Sequence, residues 1–105
     1  MAIKYFHIDN QYKTVGVLTD CKYDCVNKIR NMLAGTSIQF DESKYLLNNS
    51  YRAVVVACEE DKENYDHDMG KAWCKKKLLK KYYKSFDIVM DRFKKDLEKA
   101  YKIIS

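Results

Sequence analysis

The sequence predicts a single α+β domain with elements in the order β-β-α-β-α. Three observations lead there. Two aromatic and β-branched stretches, residues 2–8 "AIKYFHI" and 12–19 "YKTVGVLT", flank the turn-forming "DNQ". A third, residues 51–58 "YRAVVVAC", is nearly all apolar. Beyond it, from about Asp66 to Ile104, apolar residues recur at helical spacing. The 105 residues suit one domain, 1–105, with the sheet and first helix in 1–62 and a C-terminal helical segment in 63–105. At 47% hydrophobic and 33% charged the chain can bury a core. It contains no proline and three glycines, which leaves little room for long irregular loops. A chain this short buries only about 60–70% of its unfolded surface. A metal staple or a homodimer is therefore a natural supplement.

The first two stretches read as a β-hairpin. Thr19 or Asp20 then offers an N-cap, and Gly35 a stop, for a helix over 21–34. Its apolar positions Cys21, Cys25, Val26, Ile29, Met32 and Leu33 share one face. After Gly35, "SIQF" suggests a short strand and "SKYLLNNS" a strand end or helical turn, with extra strand pairing around 38–47. The continuous apolar run of 51–58 predicts a central strand covered by helix. In the last segment Met69, Ala72, Lys76, Leu79, Tyr83, Phe86, Met90, Phe93, Leu97, Ala100 and Ile104 follow an unbroken 3-4 alternation. That pattern fits a coiled-coil seam or an amphipathic helix on a sheet. Thirty-nine residues at ~1.5 Å each give a rod of about 58 Å. A 100-residue globule has a radius of gyration of only ~13 Å. The rod must then break near "KSFD", where Ser85 or Asp87 can cap a new helix, or pair with another chain.

Four cysteines need an account. Cys21 and Cys25 stand one helical turn apart, Cys58 closes the third strand, and Cys74 opens the last helix. With the strand between the helices, Cys21, Cys25, Cys58 and Cys74 could converge on a structural zinc. A smaller site could borrow Asp20, His7 or His67. Plain core cysteines are the preferred reading, because Cys21 and Cys25 belong to the apolar stripe, and zinc is the alternative. Disulfides are not expected, since no apolar leader or membrane-length run occurs and a cytosolic location follows.

Charge is unevenly placed around a net +5. Seven lysines fall between Lys71 and Lys84, with Trp73, Tyr82 and Tyr83 among them. Lysines neutralise phosphates and aromatics stack on bases, so Lys71, Trp73, Lys75, Lys76, Lys77, Lys80, Lys81, Tyr82 and Lys84 form a candidate partner-binding set. A solvated helix face is the alternative. The block Glu59–Asp68 carries six acids and one lysine, which suits the positive end of a helix dipole. Its acids lack the spacing and glycine of an EF-hand loop. No phosphate loop, nucleophile elbow or H-E-x-x-H occurs, so no enzymatic activity is expected.

The segment from Tyr51 to Lys84 resembles a widespread group of small proteins from phages and prophages of Gram-positive bacteria. In that group a T-x-V-V-x-C strand precedes an acidic D-x-F-D stretch, a glycine and a Lys-rich helix. The counterparts here are Val54 to Cys58, Glu60 to Asp68, Gly70 and the lysines after it, with Tyr65 in place of phenylalanine. The first 50 residues lie outside it, so it says nothing about a zinc site. The resemblance implies a non-enzymatic anti-defence protein acting in the host bacterial cytoplasm. The expected activity is an anti-CRISPR that binds a Cas9-type effector and blocks guide or target-DNA handling. Alternatives are a sponge for a nucleotide immune signal, as in anti-Thoeris proteins, and a basic nucleic-acid-binding accessory protein.

Overall fold

A computed structural model describes residues 2–104, with side chains through Ala100. The elements are β1 (Ala2–Ile8), β2 (Lys13–Thr19), α1 (Asp24–Met32), β3 (Ser50–Val56) and α2 (His67–Ile104). Short 3-10 turns occupy Asp9–Gln11, Glu42–Tyr45 and Glu59–Asn64. The protein is α+β in the predicted order. Among the described residues no helix is long and apolar enough to cross a membrane.

The strands form one antiparallel sheet in the order β1-β2-β3, so β2 is central and β3 an edge. This corrects the central position expected for 51–58. Alternation sorts each strand onto two faces. Ile3, Tyr5 and His7 line up with Leu18, Gly16 and Thr14, and these with Tyr51, Ala53 and Val55. That face lies under α2. Phe6, Val15 and Val54 align on the opposite face, which no described helix covers, and Val56 there is 58% exposed. The apolar run of β3 therefore reports one buried face and one bare face.

Close approach explains why the central strand looks less hydrophobic than the edge. A Cβ on Gly16 would lie 2.6 Å from Cys74 Sγ and 2.9 Å from Leu78 Cδ1. Small residues let the helix sit down on β2. At the hairpin end Tyr12 adopts a left-handed φ of 51°, and its N–H bonds Asp9 O at 3.1 Å. The Tyr65 ring meets its ring edge-on at 5.8 Å.

α1 begins later than predicted. Neither Thr19 nor Asp20 caps it, because Asp20 has a φ of 62° and Cys21–Tyr23 first make a turn with Asp24 N bonded to Cys21 O at 3.2 Å. Leu33 ends it, and Gly35 follows with a left-handed φ of 82°. No strand forms at 38–47. The Asp41 carboxylate instead accepts from Ser43 N at 3.1 Å and starts the 3-10 turn. Asp41 competes with sheet pairing there.

α2 runs unbroken through Ser85 and Asp87, 38 residues in all, in a molecule 64 Å long. Asp66 caps its start, accepting from Met69 N at 2.6 Å. The overhang beyond the sheet is covered within the chain. Phe93 packs edge-on against Tyr45 at 5.5 Å, Phe40 joins them, and Tyr45 donates to Asp96 at 2.6 Å. Among the described residues this shelter reaches Leu97.

The predicted seam holds only in part. Phe86, Met90, Phe93 and Leu97 do pack in the core or against it. Nearer the start, the buried line is Gly70, Cys74, Leu78 and Tyr82 at i+4 steps, while Ala72, Lys76 and Tyr83 are exposed. Ile104 lies outside the described side chains.

Candidate functional site

The line Cys74–Leu78–Tyr82 turns one face of α2 to the sheet and so directs the lysines outward. Three of them serve the fold. Lys77 donates to Val54 O at 3.3 Å and Lys81 to Arg52 O at 2.8 Å, both carbonyls of the β3 edge. Lys71 sits 5.9 Å above the Tyr5 ring. The other four, Lys75, Lys76, Lys80 and Lys84, are exposed. Lys76, Lys80 and Lys84 recur every fourth residue, which stacks them about 6 Å apart on consecutive turns. Like charges at that spacing destabilise a helix.

Among the described residues none of the seven lysines forms an ion pair with a carboxylate. Trp73, 56% exposed, lies beneath Lys76 at 5.7 Å, and Tyr83 is 51% exposed. The site is thus a cationic ridge with two accessible aromatic rings. Tyr82 is not part of it. It is 5% exposed and donates to Asp24 Oδ2 at 2.6 Å.

The cysteines do not converge. Cys74 packs at Gly16, whereas Cys25 bonds Phe86 O, twelve residues and about 18 Å further along α2. Each thiol has its own acceptor: Asn48 O for Cys21 at 3.1 Å, Phe86 O for Cys25 at 3.8 Å, Asp61 for Cys58 at 2.9 Å and Ala53 O for Cys74 at 3.4 Å. Burial, with help from Asp24, pushes the Cys25 thiol up to about 11, and burial raises Cys21 and Cys74 as well. Zinc binds thiolates, so this environment opposes it. Among the described residues no group of three or more His, Cys, Asp or Glu is arranged to hold a metal ion.

Several hollows bear on small-molecule binding. One of about 350 Å³ balances Lys44 and Lys99 against Asp41 and Asp96, and one of about 200 Å³ beside Ala72 and Trp73 has Lys76 as its charge. A cleft of about 240 Å³ between the end of β3 and the start of α2 is lined by Val56, Cys58, Asp61, Tyr65, Met69 and Trp73. It holds one carboxylate and no cation. A groove of about 590 Å³ between α1 and α2 offers Lys28 and Lys94, but also Asp87 and Asp91. Neither the cleft nor the groove is an electrostatic receptacle for phosphates.

A polar cluster that the sequence did not foretell joins the hairpin to the start of α2. Buried Thr14 Oγ1 is 3.1 Å from His7 Nδ1 and 3.0 Å from Tyr65 Oη. The His7 and His67 rings stack at 3.9 Å, and His67 Nε2 lies 2.6 Å from Asp9. Only the fold brings these residues together, and neither histidine's sequence neighbours announce the cluster. Desolvation, then His67 and Lys71, hold the His7 pKa below its ordinary value, against Asp9 and Asp68. An unfolded imidazole takes its proton as pH falls through about 6.5, while folded His7 resists to lower pH. The unfolded state then binds more protons, so stability rises with pH through that window and is lost as the pH drops. Thermal melts should show a lower midpoint at acid pH than at neutral pH, with the drop reduced in His7→Gln. Comparison with family models, with curated proteins and with solved structures finds no match to this chain.

Proposed function

We propose that this protein is a non-catalytic inhibitor that docks the lysine ridge of α2 onto an anionic surface of a larger target. The observation that carries the reading is Lys75, Lys76, Lys80 and Lys84, outward-facing, unpaired with any described carboxylate and flanked by exposed Trp73 and Tyr83. Four cations held at the cost of mutual repulsion find their counter-charge in a partner. The likeness of Tyr51–Lys84 to small phage proteins directs the choice of target. It is an RNA-guided effector of the Cas9 type, met at its bound RNA or at an acidic protein patch, with guide or target-DNA handling blocked.

A sponge for a nucleotide signal is the weaker reading, because the three larger hollows have no net positive lining and the small one beside Trp73 offers Lys76 alone. Binding to bare nucleic acid uses the same ridge and is separated by assay. The test replaces all four outward lysines by alanine. These side chains are exposed and repel one another, so the thermal midpoint should hold or rise. Affinity for the guide-loaded effector should fall at least tenfold. The salt dependence should flatten by about one unit of log–log slope for each phosphate no longer neutralised. Unchanged affinity and salt slope would sink the proposal. Equal binding to free RNA or DNA without effector would reassign the target to nucleic acid alone.

A further inference from the structure

The two edges of the sheet are treated differently. Ala57 N donates to Tyr12 O at 2.9 Å, so in the antiparallel alternation Thr14–Val55, Gly16–Ala53 and Leu18–Tyr51 are the hydrogen-bonded pairs. The carbonyls of Arg52 and Val54 then point away from the sheet, where Lys81 and Lys77 occupy them. Lysine on an edge is a recognised block to further strand pairing.

The same alternation fixes the other edge. Lys13, Val15, Val17 and Thr19 bond Ile8, Phe6, Lys4 and Ala2 of β1. The N–H and C=O groups of Ile3, Tyr5 and His7 therefore face outward, and among the described residues no side chain bonds to them. β1 carries no proline and one charge, Lys4. It is seven residues long, and Lys4 is its one protective device, since it has no proline and no described cover along the edge. α2 lies chiefly above β2 and β3 and reaches β1 only on its helix-side face, where Lys71 covers Tyr5 and His67 stacks on His7, so the outward backbone groups of the edge stay free among the described residues.

We infer that β1 is a dimerisation edge: two copies of this chain join β1 to β1, antiparallel about a twofold axis at Tyr5, into one six-stranded sheet. A second copy is the occupant because the strand is complementary to itself. With the axis at Tyr5 all seven residues pair, and the free backbone groups of Ile3, Tyr5 and His7 meet those of His7, Tyr5 and Ile3 of the copy. On the bare face Lys4 then lies opposite Phe6 of the copy, and Ala2 opposite Ile8. An axis at Lys4 would set ammonium against ammonium, and one at Phe6 would leave Ala2 and Ile3 unpaired. Only the Tyr5 register combines full overlap with charge compatibility on the bare face.

The experiment measures subunit mass by native mass spectrometry and sedimentation over a concentration series, using the full chain. Phe6 is 56% exposed, so substitutions there leave the fold intact, which circular dichroism checks. Phe6→Lys places two like-charge pairs across the axis and should raise the dimer dissociation constant roughly tenfold. Phe6→Glu places two opposite-charge pairs there and should keep the dimer at low salt, with new salt sensitivity. Adding Lys4→Glu to Phe6→Lys should restore association. A wild-type chain that stays monomeric across the series overturns the inference. So does equal weakening by Phe6→Lys and Phe6→Glu, which would mean that apolar area and not this register holds the copies together.

Discussion

Gly70→Ala is expected to lower the stability of this protein by about 2–5 kcal/mol, although alanine is the better helix former. Gly70 lies in the first turn of α2, its N–H bonded to Asp66 O at 3.2 Å. Helix propensity alone favours alanine there by ~1 kcal/mol. The added Cβ, however, would stand 2.2 Å from Thr14 Oγ1 and 3.1 Å from Thr14 Cβ. Thr14 is fully buried on the central strand, and its hydroxyl is engaged by His7 and Tyr65. It cannot turn away without losing its contacts with half-buried His7 and Tyr65, of which Tyr65 keeps only a longer bond to Lys13 O, at about 1–3 kcal/mol. The helix cannot lift without opening the contact of Cys74 and Leu78 over Gly16, and such overpacking costs about 1–3 kcal/mol. The clash outweighs the propensity. A thermal melt should show a fall of about 10 °C or more. In a double-mutant cycle Thr14→Ala should recover part of the loss, because it removes the nearest atom. Additive losses with no coupling would show that the helix start is not seated on Thr14.

Tyr82→Ala should be comparably severe, at about 3–5 kcal/mol, the usual cost of truncating a buried aromatic ring. Native domains have only about 5–15 kcal/mol to lose. The Tyr82 ring is 5% exposed, packed edge-on against Tyr51 at 6.0 Å and beside Phe86 at 5.9 Å. Tyr82→Phe isolates the hydroxyl and its bond to Asp24 at the start of α1. That loss should be smaller, about 1–2 kcal/mol, since Asp24 is accessible enough for water to replace the donor. Burial and the Asp24 hydrogen bond both raise the Tyr82 pKa, so the phenol stays protonated and the bond persists at neutral pH. The pair of variants also separates roles. A recognition residue would lose partner affinity with stability intact, whereas Tyr82→Phe should lose stability and keep affinity for the anionic target. Chemical denaturation beside a binding titration decides it.

Residues of one type divided sharply once their neighbours were known. Lys77 and Lys81 read as partner-binding cations, yet they occupy carbonyls of the β3 edge. Lys76 and Lys80, one residue before each of these, face solvent. One residue rotates a side chain by about 100° around a helix, so a lysine-rich run needs a buried reference line before its faces can be told apart. That line was hard to see. It is built from Gly70, Cys74, Leu78 and Tyr82, three of which are not strongly hydrophobic types. The more hydrophobic-looking seam through Met69, Ala72 and Leu79 lies off the core. The reading of core cysteines holds for Cys21, Cys25 and Cys74 and not for exposed Cys58, while the zinc alternative failed because helical spacing puts Cys21 near Cys25 but says nothing of how far Cys74 is from either.

The chain's own pattern determined the class of the fold, the order of its elements, the hairpin, the Asp66 start of α2 and the cationic stretch after Gly70. These are local properties, set by alternation, turn chemistry and charge over a few residues. Tertiary structure alone decided that β2 and not β3 is central, that the 38-residue helix stays whole because α1 and residues 40–47 cover its far half, and that the thiols lie apart. Hydropathy records how much a residue is sheltered but not by which neighbour. Where small residues such as Gly16 and Thr14 admit a helix, the most enclosed strand is not the most hydrophobic one.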